Sequence, residues 1–281
     1  MRIGLIADVH SNIVALEAVL AAIKRHSPDM ILSLGDQINL GPCPRETIDL
    51  LKAEGVTCLH GNHERYILSR MDGHPVYSGA NFNQLQFSAD LLRREEITFE
   101  KQLIIDGVTF CHALPDDDRF PVYDVDKAIP LLRQMTFDKP THIICGHGHN
   151  PTNISLPNLT IQSIGSAGCM DDAPAGIAPY AILTTDADAR ALRPYYTAYD
   201  IRLIKPLYKK SGILDYCPIT ARIGCIQMTT NTDLIVPFVD AANALSKARG
   251  ETQISEKTWL DADAEYPWPD GMTTAEFWKS P

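Results

Sequence analysis

The chain of 281 residues has no CxxC pair, no long apolar run, no internal repeat and no low-complexity tract. Each absence excludes something. Its seven cysteines are odd in number and mostly sit in or just after apolar runs. That pattern reads as buried free thiols in a reducing cytoplasm, not as a disulfide framework. A membrane span needs about 18 consecutive apolar residues, and none is present. A signal peptide is not expected, because the apolar residues 3–7 run straight into Asp8. Lys and Arg number 25 against 35 Asp and Glu, a formal net charge of −10, and no Lys/Arg cluster stands out. Such a balance disfavours an extended nucleic-acid partner, since nothing neutralises a long track of phosphates. A small phosphorylated ligand remains compatible where local cations offset the field.

What is present is an alternation. Short apolar runs at 3–7, 30–34 and 56–59 read as strands. Helical spacing at 13–25 and 44–52 separates them, the second with Pro44 at its start and Gly55 just after its end. This predicts an α/β sheet with helices on its faces. Beyond residue 100 the character changes. Residues 101–105 and 108–111 flank Asp106-Gly107 and predict a hairpin. A helix is expected over 125–135 and strands over 141–145, 152–164 and 180–185, which together predict a second, more antiparallel sheet. A helix is expected over 234–248 and an irregular tail after it. The tail's Trp259, Trp268 and Trp278 are expected to pack on the body or on a neighbouring subunit.

Five places share one pattern: an apolar run that ends in a residue able to bind a metal. They yield Asp8 and His10, then Asp36, then Asn62 and His63, then His112, then His147 and His149. Ligands bind at strand C-termini in open α/β sheets. One Asp after a strand is usually a turn residue, but five coincidences ask for a common cause. Two Asp, four His and one Asn make seven N and O donors without a thiolate, a set suited to Mn, Fe, Zn, Co or Ni. Seven donors exceed what one tetrahedral ion takes, and two ions sharing a carboxylate would use them all.

The series Asp8-Val9-His10, Gly35-Asp36, Gly61-Asn62-His63-Glu64, His112 and Gly146-His147-Gly148-His149 resembles the signature of the calcineurin-like metallophosphoesterase superfamily in order and spacing. The stretch from Gly35 to Glu46, and Gly165-Ser166-Ala167-Gly168 followed by Tyr180, resemble its bacterial and archaeal branch of small phosphodiesterases. The resemblance implies a four-layer α/β/β/α sandwich over residues 1–210, with 211–281 as a C-terminal extension. It implies two divalent transition metals, one held by Asp8, His10 and His149, the other by Asn62, His112 and His147, with Asp36 bridging. Attack on phosphorus by a hydroxide shared between the metals would follow, with His63 as general acid to the leaving alkoxide. Asn39 is the candidate for orienting His63, and Arg45 and Arg65 for gripping a phosphate.

The expected activity is cytoplasmic hydrolysis of a small phosphodiester or nucleotide. Phosphomonoesterase action, on phosphoproteins or dinucleoside polyphosphates, is the alternative, and a non-catalytic scaffold a further one. The phosphoprotein phosphatase branch has Asp and Arg where Asn39 and Leu40 stand, which weakens that alternative. The bacterial branch has Pro and Arg where Met170 and Asp171 stand, so its contacts there are not carried over. Substrate choice is expected to lie in residues 65–100 and 114–125.

Overall fold

The structure is a computed structural model and describes residues 1–281 except 75–82, 138 and 186–189; part of the expected substrate loop 65–100 therefore lies outside the described residues. Strand β1 (Arg2–Ile6) alternates as a strand buried on both faces must. Ile3 and Leu5 enter one apolar cluster and Ile6 another. Gly4 faces the same way as Ile6, where a Cβ would stand 2.4 Å from Ile23 Cγ2. That close approach seats α1 (Ile13–Lys24), whose N-terminus is capped by the Asn12 side chain.

Parallel to β1 runs β2 (Met30–Ser33), then α2 (Pro44–Ala53), then β3 (Thr57–Cys58) beside β2. Helices α3 (Asn62–Met71) and α4 (Gln84–Leu91) follow. The third strand is shorter than expected; just past its end Leu59 still donates to the Ser33 carbonyl at 2.8 Å and also bridges to Glu100. The second sheet contains β4 (Gln102–Ile105), β5 (Val108–Cys111), β6 (Thr141–Cys145), β7 (Thr152–Leu156) and β8 (Leu159–Ser163). Helix α5 (Val125–Leu132) carries the crossover from β5 to the parallel β6. Strands β9 (Ile177–Thr185) and β10 (Arg190–Ala198) return to the first sheet.

Among the described residues the first sheet runs β10-β9-β1-β2-β3 and the second β4-β5-β6-β8-β7. Two expectations are corrected. The 180–185 strand pairs antiparallel with β1 and does not belong to the second sheet. The second sheet is mixed, parallel at β5–β6 and β6–β8, and no more antiparallel than the first. The reason is long-range: Ala181 and Leu183 fill the space between the sheets beside Ile3 and Leu5, while Tyr180 and Ile182 face α1. The two sheets pack face to face over this shared cluster, with Val108, Phe110 and Ile144 supplied from the second sheet. Helices cover the outer faces, α1 on the first sheet and α5 on the second.

The tail is helical where an irregular path was expected. After α6 (Ile204–Lys210), α7 (Pro218–Thr230) and α8 (Ile235–Ala248) come α9 (Glu256–Glu265) and α10 (Thr274–Lys279). Ser255 caps α9, and Thr273 with Glu276 forms a capping box on α10. Trp259 and Trp268 are buried against Phe238, so the tail packs on its own body. The anchor is Arg222 of α7, fully buried, with its guanidinium 4.0 Å from the Trp268 ring centroid and paired with Asp270. No helix among the described residues is long and apolar enough to cross a membrane.

Candidate metal centre

Four strands end at one edge of the sandwich, and the residues just beyond them turn inward. Asp8 and His10 follow β1, Asp36 follows β2, His112 follows β5, and His147 and His149 follow β6. Asn62 opens α3. The loops bond to one another: Asp8 N–H to the Gly35 carbonyl at 3.0 Å, His10 N–H to that of Asp36 at 3.0 Å, Ser11 N–H to that of Gln37 at 2.9 Å. Asp8, His10, Asp36, Asn39 and His147 all have left-handed backbone, with φ of +52, +51, +54, +76 and +60°. Such conformations cost about 1–3 kcal/mol each and persist where surroundings over-determine them. Close approach also dictates glycine at position 61, where a Cβ would lie 2.2 Å from Asp36 Oδ1.

Three sets of side chains place one donor atom each within 4.8 Å of the others: Asp36, His112 and His147; His10, Asp36 and His63; His10, His149 and Cys169. Asp36 and His10 are each shared, so the sets merge into one cluster. Asp8 lies at its side, 4.0 Å from His10 Nε2, and its Oδ2 accepts the His147 backbone N–H at 2.9 Å. Asn62 Oδ1 is 2.9 Å from His112 Nε2. The structure thus brings together all seven donors expected from the sequence.

The cluster fits cations. Both ring nitrogens of His10 are buried with no hydrogen-bond partner among the described residues, an expensive state unless something else uses a lone pair. His112 Nδ1 stands 2.9 Å from the Leu34 carbonyl, to which it donates, and this fixes Nε2 3.2 Å from Asp36 Oδ2. Burial, reinforced by Asp36, pushes the Asp8 carboxyl up to about 7. Burial, reinforced by His112, pushes His147 down to about 3. Burial opposes charge on His112 too, but the Asp36 carboxylate 3.2 Å away raises it to about 10. Buried carboxylates and imidazoles crowded against one another are what a divalent ion relieves.

His63 sits at the mouth, 24% exposed at its side chain. Its backbone N–H donates to Asp36 Oδ1 at 2.8 Å, and its Nδ1 lies 2.7 Å from the Asn39 amide. Burial lowers its pKa, while Asp36 opposes that shift. The Asn39 nitrogen faces the ring, and its Oδ1 is a buried acceptor with no partner among the described residues. Turning the amide over lets Oδ1 accept from a protonated Nδ1. The two arginines behave differently. Arg45 is not brought to the cluster: its guanidinium bonds Glu96 twice at 2.8 Å. Arg65 lies nearby on α3 but is committed to Asp118, at 2.7 and 2.9 Å.

Three residues here went unassigned in the sequence. Glu64 is buried and accepts the backbone N–H groups of Asp36, Gln37 and Gly61, each at 2.9 Å. It ties the loop carrying Asp36 to the turn carrying Asn62. Its signal was its place in Gly61-Asn62-His63-Glu64, three residues past a helix start. Glu64→Ala leaves three buried donors without an acceptor, at about 1–3 kcal/mol each. The expected loss is therefore at least about 3 kcal/mol, read as a lower urea midpoint; an unchanged midpoint contradicts this clamp. Cys169 adds sulfur beside His10 and His149. Asp171 Oδ2 lies 3.3 Å from His149 Nδ1, and its Oδ1 accepts from Gln227 of α7 at 3.2 Å. Neither follows an apolar run as its first polar residue, so the pattern that found the others passed over them.

Two face-to-face sheets flanked by helices, with aspartates and histidines gathered at the strand ends, define a metal-dependent hydrolase. Residues 1–175 match the family model of the calcineurin-like phosphoesterases, and the chain belongs to that family. It is accordingly a metal-dependent hydrolase of phosphoesters. A solved metallophosphoesterase from Sphaerobacter thermophilus is similar over 82% of this chain and 100% of its own, with TM-score 0.63 and 27% identity. A hypothetical protein from Pyrococcus horikoshii shares the fold over 83% of this chain and 99% of its own, with TM-score 0.59 and 16% identity. An uncharacterized protein from Methanocaldococcus jannaschii is 28% identical over 169 residues, 57% of this chain and 68% of that one.

Proposed function

We propose that the chain is a phosphodiesterase acting on a small phosphodiester or nucleotide. The observation that carries the chemistry is the convergence of the seven donors into one buried cluster beside His63. Asp8, His10 and His149 would hold one divalent ion and Asn62, His112 and His147 a second, with Asp36 shared. Ions of the Mn, Fe, Zn, Co or Ni kind suit these donors and supply Lewis acidity toward phosphoryl oxygens and a hydroxide near neutral pH. The other steps fall to side chains. His63, at the mouth, carries the proton to the leaving alkoxide, and Asn39 fixes its ring plane through Nδ1. Asp36 receives the His63 backbone N–H and so sets where the imidazole stands relative to the cluster.

The diester preference rests on charge. Arg45 and Arg65, the two expected phosphate grips, are each paired with a carboxylate. A diester monoanion asks for less neutralisation than a monoester dianion. Residues 1–210 would be the catalytic domain and 211–281 an extension upon it. The seven free thiols accord with a cytoplasmic setting. The test is hydrolysis of bis(p-nitrophenyl) phosphate against p-nitrophenyl phosphate with Mn²⁺ added. Faster turnover of the diester is expected; faster monoester turnover reverses the preference, and no turnover of any phosphoester returns the scaffold reading.

A further inference from the structure

A cavity of about 510 Å³ opens beside the metal centre, with Asn62, His63 and His147 on its inner side. Its outer wall comes from α8 and α9, beyond residue 175 where the family match ends. Helix α8 has two faces with separate tasks. Phe238, Ala242 and Ser246, four residues apart, are buried in the body. Val236, Val239, Asp240 and Asn243 share another face and line the cavity. Val236 is 56% exposed, an apolar side chain with no task in the core. Ile235 and Val239 also touch the core, but folding does not ask for Val236 there, whereas a ligand beside His63 does.

The remaining lining states what that ligand is. Tyr66, Tyr123 and the largely buried Trp259 line the same space, and Tyr123 stands 5.6 Å, centroid to centroid, from His147. Gln84, only 8% exposed, lines the cavity with its amide oxygen lacking a partner among the described residues. That oxygen and the Asp240 carboxylate are acceptors, so the ligand brings N–H or O–H donors. Asp240 also repels a second anionic group, and Arg119 is the one cationic side chain of this lining. A flat ring that stacks, donor groups at its edge and no polyphosphate together describe a nucleoside. The volume lies within the range that small-molecule sites occupy.

Resting on the phosphoesterase reading above, we infer that the α8–α9 wall binds the nucleoside arm of a nucleotide ester: the base lies among Tyr66, Tyr123 and Trp259, and its donors meet Gln84 and Asp240. The wall makes the C-terminal extension the specificity element of the enzyme, since the metal centre itself reads only phosphate.

Calorimetric titration of the full chain, loaded with Mn²⁺, with adenosine tests this without needing catalysis, and ribose is the comparison ligand. Adenosine is expected to bind and ribose to give no heat. Val236→Asp, a change at an exposed position that folding tolerates, and Val239→Asp are each expected to weaken adenosine at least tenfold. The absence of adenosine binding, or an affinity unmoved by both substitutions, overturns the inference. If adenosine binds as expected yet no phosphoester is hydrolysed, the wall stands and the catalytic reading falls; if phosphoesters are hydrolysed and adenosine does not bind, the reverse holds.

Discussion

His63→Ala is expected to lower kcat by roughly 10²- to 10⁴-fold, the usual worth of a positioned proton donor, while two metal ions per chain remain bound. The argument is geometric. The seven other side chains supply the proposed ligand set without His63, and His63 is the member at the mouth, on the cavity side. Its ring is steered from two directions, by Asn39 at Nδ1 and through its own backbone N–H at Asp36. Removing the ring ends the contact with Asn39 but leaves the backbone donor to Asp36, the bond that reaches the cluster. Two measurements on one preparation decide it: metal content by elemental analysis and kcat on a phosphodiester with an alkyl leaving alcohol. A substrate whose leaving alcohol is already acidic needs less help with its proton. The deficit is therefore expected to shrink with p-nitrophenolate and to grow with an alkyl alcohol. Loss of metal in this variant would make His63 a ligand and overturn its role as acid.

Asp36→Ala is expected to abolish measurable turnover and to leave fewer than two ions bound. Asp36 is the side chain with the most neighbours of chemical consequence. Its Oδ2 lies 3.2 Å from His112 and 3.8 Å from His63, and its Oδ1 accepts from His63 N–H at 2.8 Å. It belongs to two of the three donor sets. Without it, one negative charge is lost from a buried group of imidazoles, and the cations that the pocket would hold meet less compensation. Asp36→Asn separates charge from shape. It keeps an oxygen to accept the backbone N–H, so the fold survives, but it offers a neutral donor. Metal content is expected to fall in both variants, with unfolding midpoints for Asn near those of the metal-stripped wild type. Full retention of two ions by either variant would refute the shared position.

The cluster of candidate metal ligands was legible because its residues follow a simple rule. Asp8, Asp36, His112 and His147 are each among the first polar residues after an apolar strand, and strand ends of one sandwich edge meet in space. The helices α1 and α5 were legible from apolar spacing alone. Sheet membership was not. Whether residues 180–185 extend the first sheet or the second is decided by Ala181 and Leu183 packing against Ile3 and Leu5, contacts between segments far apart along the chain. The tail hid for another reason: α9 and α10 are short and are held by Trp268 on Arg222 and by caps, not by a long apolar stripe. Glu64 was printed in the motif but its work is done on backbone amides of a distant loop. Arg45 looked free to meet phosphate because nothing in its own neighbourhood announces Glu96.

The loops that carry the donors belong to different layers. Asp8, His10, Asp36 and Asn62 are carried by the first sheet and the helix that follows it; His112, His147 and His149 are carried by the second. On the proposed assignment each ion is a rivet driven through both plates. Drawing it out lets the plates part at that rim, so loading and folding become one equilibrium, and scarcity of the ion is felt as fragility of the whole sandwich.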